Sequence, residues 1–146
     1  LMQGLQRCLP HPALGHIDDA FKRKAVIGLG DHADISQRIA DFQNTRFTLA
    51  QVRADLDMGR GYYNQCLQRY LAGEMTAVDA AVIKLQLTEM QCSCIDRCMQ
   101  LFGGYGYTLE YPISRFYVDS RVQTVYAGTS EIMKEVIARD MLGRAH

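Results

Sequence analysis

Two short stretches of this 146-residue chain carry residue types suited to holding a ligand. In Gln100-Leu101-Phe102-Gly103-Gly104-Tyr105-Gly106 three glycines follow a glutamine, and glycine lets backbone approach a ligand where a Cβ would intrude. In Gly128-Thr129-Ser130-Glu131, Thr129 or Ser130 can cap a helix and Glu131 complements its dipole. The unpaired N–H groups expected at such a terminus suit an anionic or carbonyl-rich ligand. Taken singly, each has a plain structural reading: Gly103-Gly104 is a helix stop and Thr129 a cap. A third stretch, Ala25-Val26-Ile27-Gly28-Leu29-Gly30, superficially offers a dinucleotide fingerprint. That motif needs a helix after it and a second strand about thirty residues on, whereas the chain beyond it carries one long amphipathic helical pattern and no second strand. Cys92, Cys94 and Cys98 are crowded, but on a helix Cys92 lies roughly opposite Cys94 and no histidine is near in sequence. They read as buried thiols, with no metal.

The elements that must position these residues are helical. From Arg38 to Leu71 the apolar residues Ile39, Phe42, Leu49, Val52, Leu56, Tyr63, Leu67 and Tyr70 recur at helical spacing. Gly59 and Gly61 weaken this helix and invite a slight bend, and Gly73 terminates it. Thr76 with Asp79 forms a capping box, after which Val78, Val82, Leu85, Cys92, Ile95, Met99 and Phe102 mark one face up to Gly103-Gly104. Two such helices joined by a short loop are antiparallel neighbours. After Gly106 the chain is irregular through Tyr111-Pro112, with a short helix from about Ser114 to Val122 and a final one from Thr129-Ser130 to about Leu142. The expected fold is all-α and four-helix-bundle-like, one domain over residues 1–146, built on the hairpin Arg38–Gly103.

Composition narrows the partners. Lys plus Arg equals Asp plus Glu at 16 each, against the basic excess of a nucleic-acid binder, and zero net charge removes self-repulsion as a barrier to oligomers. No apolar run is long enough to span a membrane, and nothing suggests a secretory signal. Five cysteines, an odd set, need no explanation in a reducing cytoplasm, which is the expected location.

The stretch from Gln100 to Leu142 has an order all its own: Gln100-Leu101-Phe102-Gly103-Gly104-Tyr105-Gly106-Tyr107, Glu110-Tyr111-Pro112, Arg115 with Asp119, Val125-Tyr126-Ala127-Gly128-Thr129-Ser130-Glu131-Ile132, then Ile137-Ala138-Arg139. This is similar to the C-terminal signature of acyl-CoA dehydrogenases. Upstream, Gln37-Arg38-Ile39-Ala40-Asp41-Phe42-Gln43 resembles the opening of that family's first long C-terminal helix. The resemblance implies FAD as cofactor, with Gln100, Gly103 and Gly104 meeting it across a subunit interface. Thr129 and Glu131 would contact FAD too, Gln43 would lie near the adenine end, and Tyr126 and Gly128 would line the acyl end of the substrate pocket. It also implies an acyl-CoA substrate, an electron acceptor, and association into homodimers or homotetramers.

The family reaction removes an α-proton and transfers a β-hydride to the flavin, so a carboxylate must stand beside the substrate. Most members place that glutamate directly after the tyrosine of Tyr-Glu-Gly-Thr; here Ala127 occupies the position, and a methyl group accepts no proton. The isovaleryl- and long-chain-type members carry a small residue there and take glutamate from an earlier segment, Leu-Met-x-x-Leu-x-x-Glu-Arg-Leu. Leu1-Met2-Gln3-Gly4-Leu5-Gln6-Arg7 matches its start, but the glutamate position holds Cys8. Residues 8–36 depart from the family pattern: Pro10 and Pro12 break a helix, and the family's Arg-x-x-Phe-Gly is absent before Gln37. A reading-frame or sequence error and a natural divergent segment both account for that stretch. The expected function is therefore that of a C-terminal part of an FAD-dependent acyl-CoA dehydrogenase of the isovaleryl or long-chain type, without catalytic residues of its own. The alternative is a non-catalytic assembly domain.

Overall fold

The computed structural model describes residues 39–143. A 3₁₀ turn at Ile39–Asp41 leads into α1 (Gln43–Leu71), and then come α2 (Ala77–Leu101), a second 3₁₀ turn at Gly103–Tyr107, α3 (Pro112–Gln123) and α4 (Ser130–Leu142). No strand occurs among the described residues, so the chain is all-α there. The glycine run around Gly28 that was set aside as a dinucleotide fingerprint, the Cys8 position and the other residues of 8–36 lie outside the described residues.

α1 and α2 form the expected antiparallel hairpin. Thr76 caps α2: its hydroxyl accepts from Asp79 N–H at 3.1 Å, and the Asp79 carboxylate accepts from Thr76 N–H at 2.8 Å. Together they satisfy orphan donors of the first turn. Arg69 Nη1 donates to the same Asp79 carboxylate at 2.6 Å, tying the end of α1 to the start of α2. Near the other end, Arg97 pairs with Asp55. Two apolar clusters hold the helices together: one around Val52, Cys94, Ile95, Cys98 and Ile113, which flanks the Asp55–Arg97 pair, the other around Cys66, Ile83 and Leu87, between the two ties.

α2 is buried on more than the single face that its periodicity suggested. α1, α3 and α4 all pack on it, so Ala81, Ile83, Lys84, Leu85, Leu87, Thr88, Cys94, Ile95 and Cys98 are all buried. Of the residues expected to mark its face, only Leu85 and Ile95 are fully buried; Val78, Val82, Cys92, Met99 and Phe102 are half-buried. Of the stripe expected along α1, Phe42, just before the helix, and Tyr70 are exposed, while Thr45, Gly59 and Cys66 are buried. Gly59 is a close-approach position: a Cβ there would lie 2.6 Å from Met90 Cε, whereas at Gly61 it would meet nothing within 4 Å. Pro112 stands at the first position of α3, where its missing N–H is harmless.

Candidate functional site

The expected site residues fall into two groups. Gln43 opens α1 and, in the antiparallel register set by Asp55–Arg97 and Arg69–Asp79, lies at the hairpin end that carries the Gly103–Tyr107 turn. Gln100, Gly103 and Gly104 are exposed at that same end. Gly103 has φ of 56°, which favours glycine, and a Cβ at Gly103 or Gly104 would meet nothing within 4 Å. Backbone there is open to a ligand. Gly106 differs: it is buried, and a Cβ would stand 2.7 Å from the Met99 carbonyl oxygen. Its missing side chain serves the packing of the turn on α2.

The second group lies around the start of α4. The chain leaves α3 through Thr124 and returns at Ser130, whose N–H donates to the Thr124 carbonyl at 3.1 Å. Between them Ala127 and Gly128 are both left-handed, with φ of 55° and 99°. For an alanine this conformation is strained. At Gly128 the positive φ favours glycine, and a Cβ would lie 2.4 Å from Met133 Cε, the mobile end of a side chain that would have to turn aside. The turn packs against the first half of α2, where buried Lys84 donates from Nζ to the Gly128 carbonyl oxygen, and Lys134 Nζ stands 3.6 Å from Glu89 Oε1. Beside the turn is a cavity of about 320 Å³ whose lining includes Glu89, Cys92, Arg121, Thr129, Ser130 and Glu131.

Thr129 is the N-cap of α4, its hydroxyl accepting from Ile132 N–H at 3.3 Å. Ser130 N–H is spent on Thr124 and Ile132 N–H on the Thr129 hydroxyl, while Met133 N–H makes the first helical bond, to the Thr129 carbonyl. Two of the N–H groups expected to be unpaired at this helix start are thus used within the turn. Hydrogen bonding from its own backbone N–H and from the Thr129 side chain holds Glu131 below the usual carboxylate range, so a negative charge already sits on the helix dipole. What this terminus can offer a ligand is a charged acceptor, suited to hydroxyls, more than a cradle for phosphate. Three buried polar atoms lack partners among the described residues: Gln91 Oε1, Gln123 Oε1 and Ser130 Oγ, one on each of α2, α3 and α4. Such atoms are costly unless satisfied, and Ser130 lines the cavity.

The two groups are not one pocket. Glu89 and Gln100 are about 16 Å apart along α2 at about 1.5 Å per residue, so a single ligand would have to be extended to reach both. Lys84, Glu89, Cys92 and Arg121 were missed in the sequence. The one available signal was Lys84, a cation in the helical stripe Ala81, Leu85, Thr88. The cysteines do not converge: Cys94 and Cys98 face α1, while Cys92 Sγ donates to the Ser120 carbonyl at 3.3 Å. Among the described residues no group of three candidate ligands could hold a metal.

Comparison with known proteins agrees with this geometry. The family model described as "Acyl-CoA dehydrogenase, C-terminal domain" matches residues 15–142, so the match begins inside the 8–36 stretch. The long-chain specific acyl-CoA dehydrogenase of Sus scrofa mitochondria is 40% identical over 104 residues, covering 71% of this chain and 24% of that protein. The short-chain specific acyl-CoA dehydrogenase of Clostridium acetobutylicum is 31% identical over 86% of this chain and 33% of its own length. Among solved structures, an acyl-CoA dehydrogenase from Geobacillus kaustophilus superposes with a TM-score of 0.78 at 32% identity, over 89% of this chain and 33% of that one. The chain spans about a quarter of the length of its long-chain relatives. The matched range and the all-helical architecture are those of a C-terminal domain, and the chain belongs to the acyl-CoA dehydrogenase family.

Proposed function

We propose that this chain supplies the C-terminal, FAD-facing part of an acyl-CoA dehydrogenase of the isovaleryl or long-chain type, and that by itself it does not turn over. The observation that carries this is the Tyr126–Glu131 segment: a turn fixed by two left-handed residues, with Ala127 at one of the two positions where the resemblance implies the base and Cys8 at the other. The residues present fit parts of the cofactor. The open backbone at Gly103 and Gly104 suits close approach beside Gln100, and the Glu131 carboxylate with the Thr129 hydroxyl suits sugar-type hydroxyls. Bound FAD would supply hydride acceptance. Gln43, Gln100, Gly103 and Gly104 would hold it from one copy, Thr129 and Glu131 from another, which the separation along α2 favours. Tyr126 and Gly128 would border the acyl chain. No described residue of the turn can take the α-proton: Ala127 has no acceptor, and the lowered basicity of Glu131 makes it a poor one.

A second reading, a non-catalytic assembly domain, is supported by the outer face of α3 and the turn after it, where Val118, Val122 and Val125 are each at least half exposed. Both readings place the chain in a homo-oligomer in the cytoplasm. Among the described residues no helix is long and apolar enough to cross a membrane. Titration of FAD with the purified chain, monitored by flavin fluorescence and sedimentation, separates the two readings. Saturable quenching that weakens in Gly104→Val and Gln100→Ala supports the flavin-facing reading; a folded oligomer that leaves flavin fluorescence unchanged supports assembly alone.

A further inference from the structure

Lys84 lies on the buried side of α2 with only 8% of its surface exposed. Among the described residues no carboxylate pairs with it. Its Nζ instead donates to the carbonyl oxygen of Gly128, 44 residues further along the chain. A buried cation is costly unless its donors are used, and Ala81, Leu85 and Thr88 around it on the helix are uncharged, so an apolar side chain would pack there at lower cost. The carbonyl it reaches belongs to the second of two successive left-handed residues, in a turn closed at its base by Ser130 N–H to Thr124. Such a turn has few conformational neighbours that keep its backbone aim, and a single strong donor to its middle carbonyl selects one of them.

The geometry points to Lys84 as a positioning residue: its ammonium tethers the Tyr126–Thr129 turn to α2 and so sets the direction in which Tyr126, Ala127 and Thr129 face their ligand. The identity of that ligand rests on the flavin and acyl-CoA reading; the tether does not. Lys84→Met keeps an unbranched side chain of similar length and removes every donor. In that variant the amides of residues 125–132 exchange about tenfold faster or more, those of α1 and α2 keep their protection, and the urea midpoint does not fall. Lys84→Arg, which keeps charge and donors, restores slow exchange. FAD affinity changes in the same order, weakened about tenfold in Lys84→Met and recovered in Lys84→Arg. Unchanged exchange in the turn, or an equal loss of protection in every helix, overturns the inference. A wild-type chain that takes up no FAD defeats the flavin reading, while the exchange pattern still decides the tether. If Lys84→Met does not fold, the side-chain ammonium signals of ¹⁵N-lysine wild-type chain decide instead: one slowly exchanging ammonium close to Gly128 supports the tether, and none overturns it.

Discussion

Gly106→Ala separates glycines that serve the fold from those that serve a ligand. A Cβ at Gly106 would meet Met99 O at 2.7 Å, Phe102 Cβ at 3.0 Å and Met99 Cγ at 3.1 Å. The nearest of these is backbone of the last turns of α2 and cannot swing aside. Overpacking of this kind costs about 1–3 kcal/mol, and the lost chain entropy of glycine returns about 0.4–1 kcal/mol. The net expectation is a destabilisation of about 1–2 kcal/mol. Gly61 is the control within the same chain: it lies inside α1 with open space around its Cβ position, so alanine there stabilises by about 0.5–1 kcal/mol. Urea unfolding monitored by far-ultraviolet circular dichroism reads both, with midpoints moving in opposite directions, down by roughly 0.5–1 M for Gly106→Ala and up by roughly 0.25–0.5 M for Gly61→Ala at a slope of about 2 kcal/mol/M. A Gly106→Ala midpoint at or above the wild type would refute the packing of this turn. Gly103 and Gly104 stand in open space, so Gly104→Val should leave the midpoint nearly unchanged while weakening flavin binding.

Ala127→Gly relieves the left-handed strain and should stabilise by about 0.5–1 kcal/mol, the cost of αL for alanine less the entropy of glycine; a fall in the urea midpoint would contradict the φ of 55°. The Arg97 guanidinium beside Asp55 holds its carboxyl below the ordinary 3.8. The unfolded chain binds that proton more readily, so the stabilisation is present above pH 3.8 and is lost as the pH falls through the lower folded value. Asp55→Asn should flatten that acid loss in an unfolding series across pH, by at most about 1 kcal/mol for a pair so near the surface. Burial pushes the Cys98 thiol up to about 11 and raises Cys94 as well. Iodoacetamide at neutral pH should therefore modify neither until denaturant is added, as mass spectrometry of the alkylated peptides would show; rapid labelling of Cys98 in the folded chain would contradict its placement against α1.

Helix count and order were legible in the sequence, as were the starts of α2 and α4, because the Thr76–Asp79 box and Thr129 act within one turn of their own position. The starts of α1 and α3 were not: expected at Arg38 and about Ser114, they lie at Gln43 and at Pro112, which opens a helix where the sequence was read as irregular. The burial pattern of α2 was only partly legible: periodicity marks one apolar face, but a helix enclosed by three others buries polar and small residues too, such as Lys84 and Thr88. The site was legible in its residue types and not in its geometry. Gly128 announces a turn, yet the left-handed alanine before it, and the lysine that reaches its carbonyl from a helix 44 residues away, depend on tertiary packing. The expectation of free N–H groups at Thr129–Glu131 met a competition that the sequence only half shows: Thr129 as cap takes the Ile132 donor, and the Thr124 carbonyl, brought round by the turn, takes that of Ser130.

The most direct test of the central claim is the visible spectrum of the FAD-loaded chain, freed of unbound flavin, before and after addition of an acyl-CoA in the absence of oxygen. The account predicts a flavin band that survives the addition unbleached, since Ala127 and Cys8 stand at the two positions where the resemblance implies the base, and neither is a carboxylate that could take the substrate α-proton. Bleaching of the band would contradict it by revealing a base at work, and a protein that emerges with no band would contradict the flavin-facing reading of Gln100, Gly103, Gly104, Thr129 and Glu131.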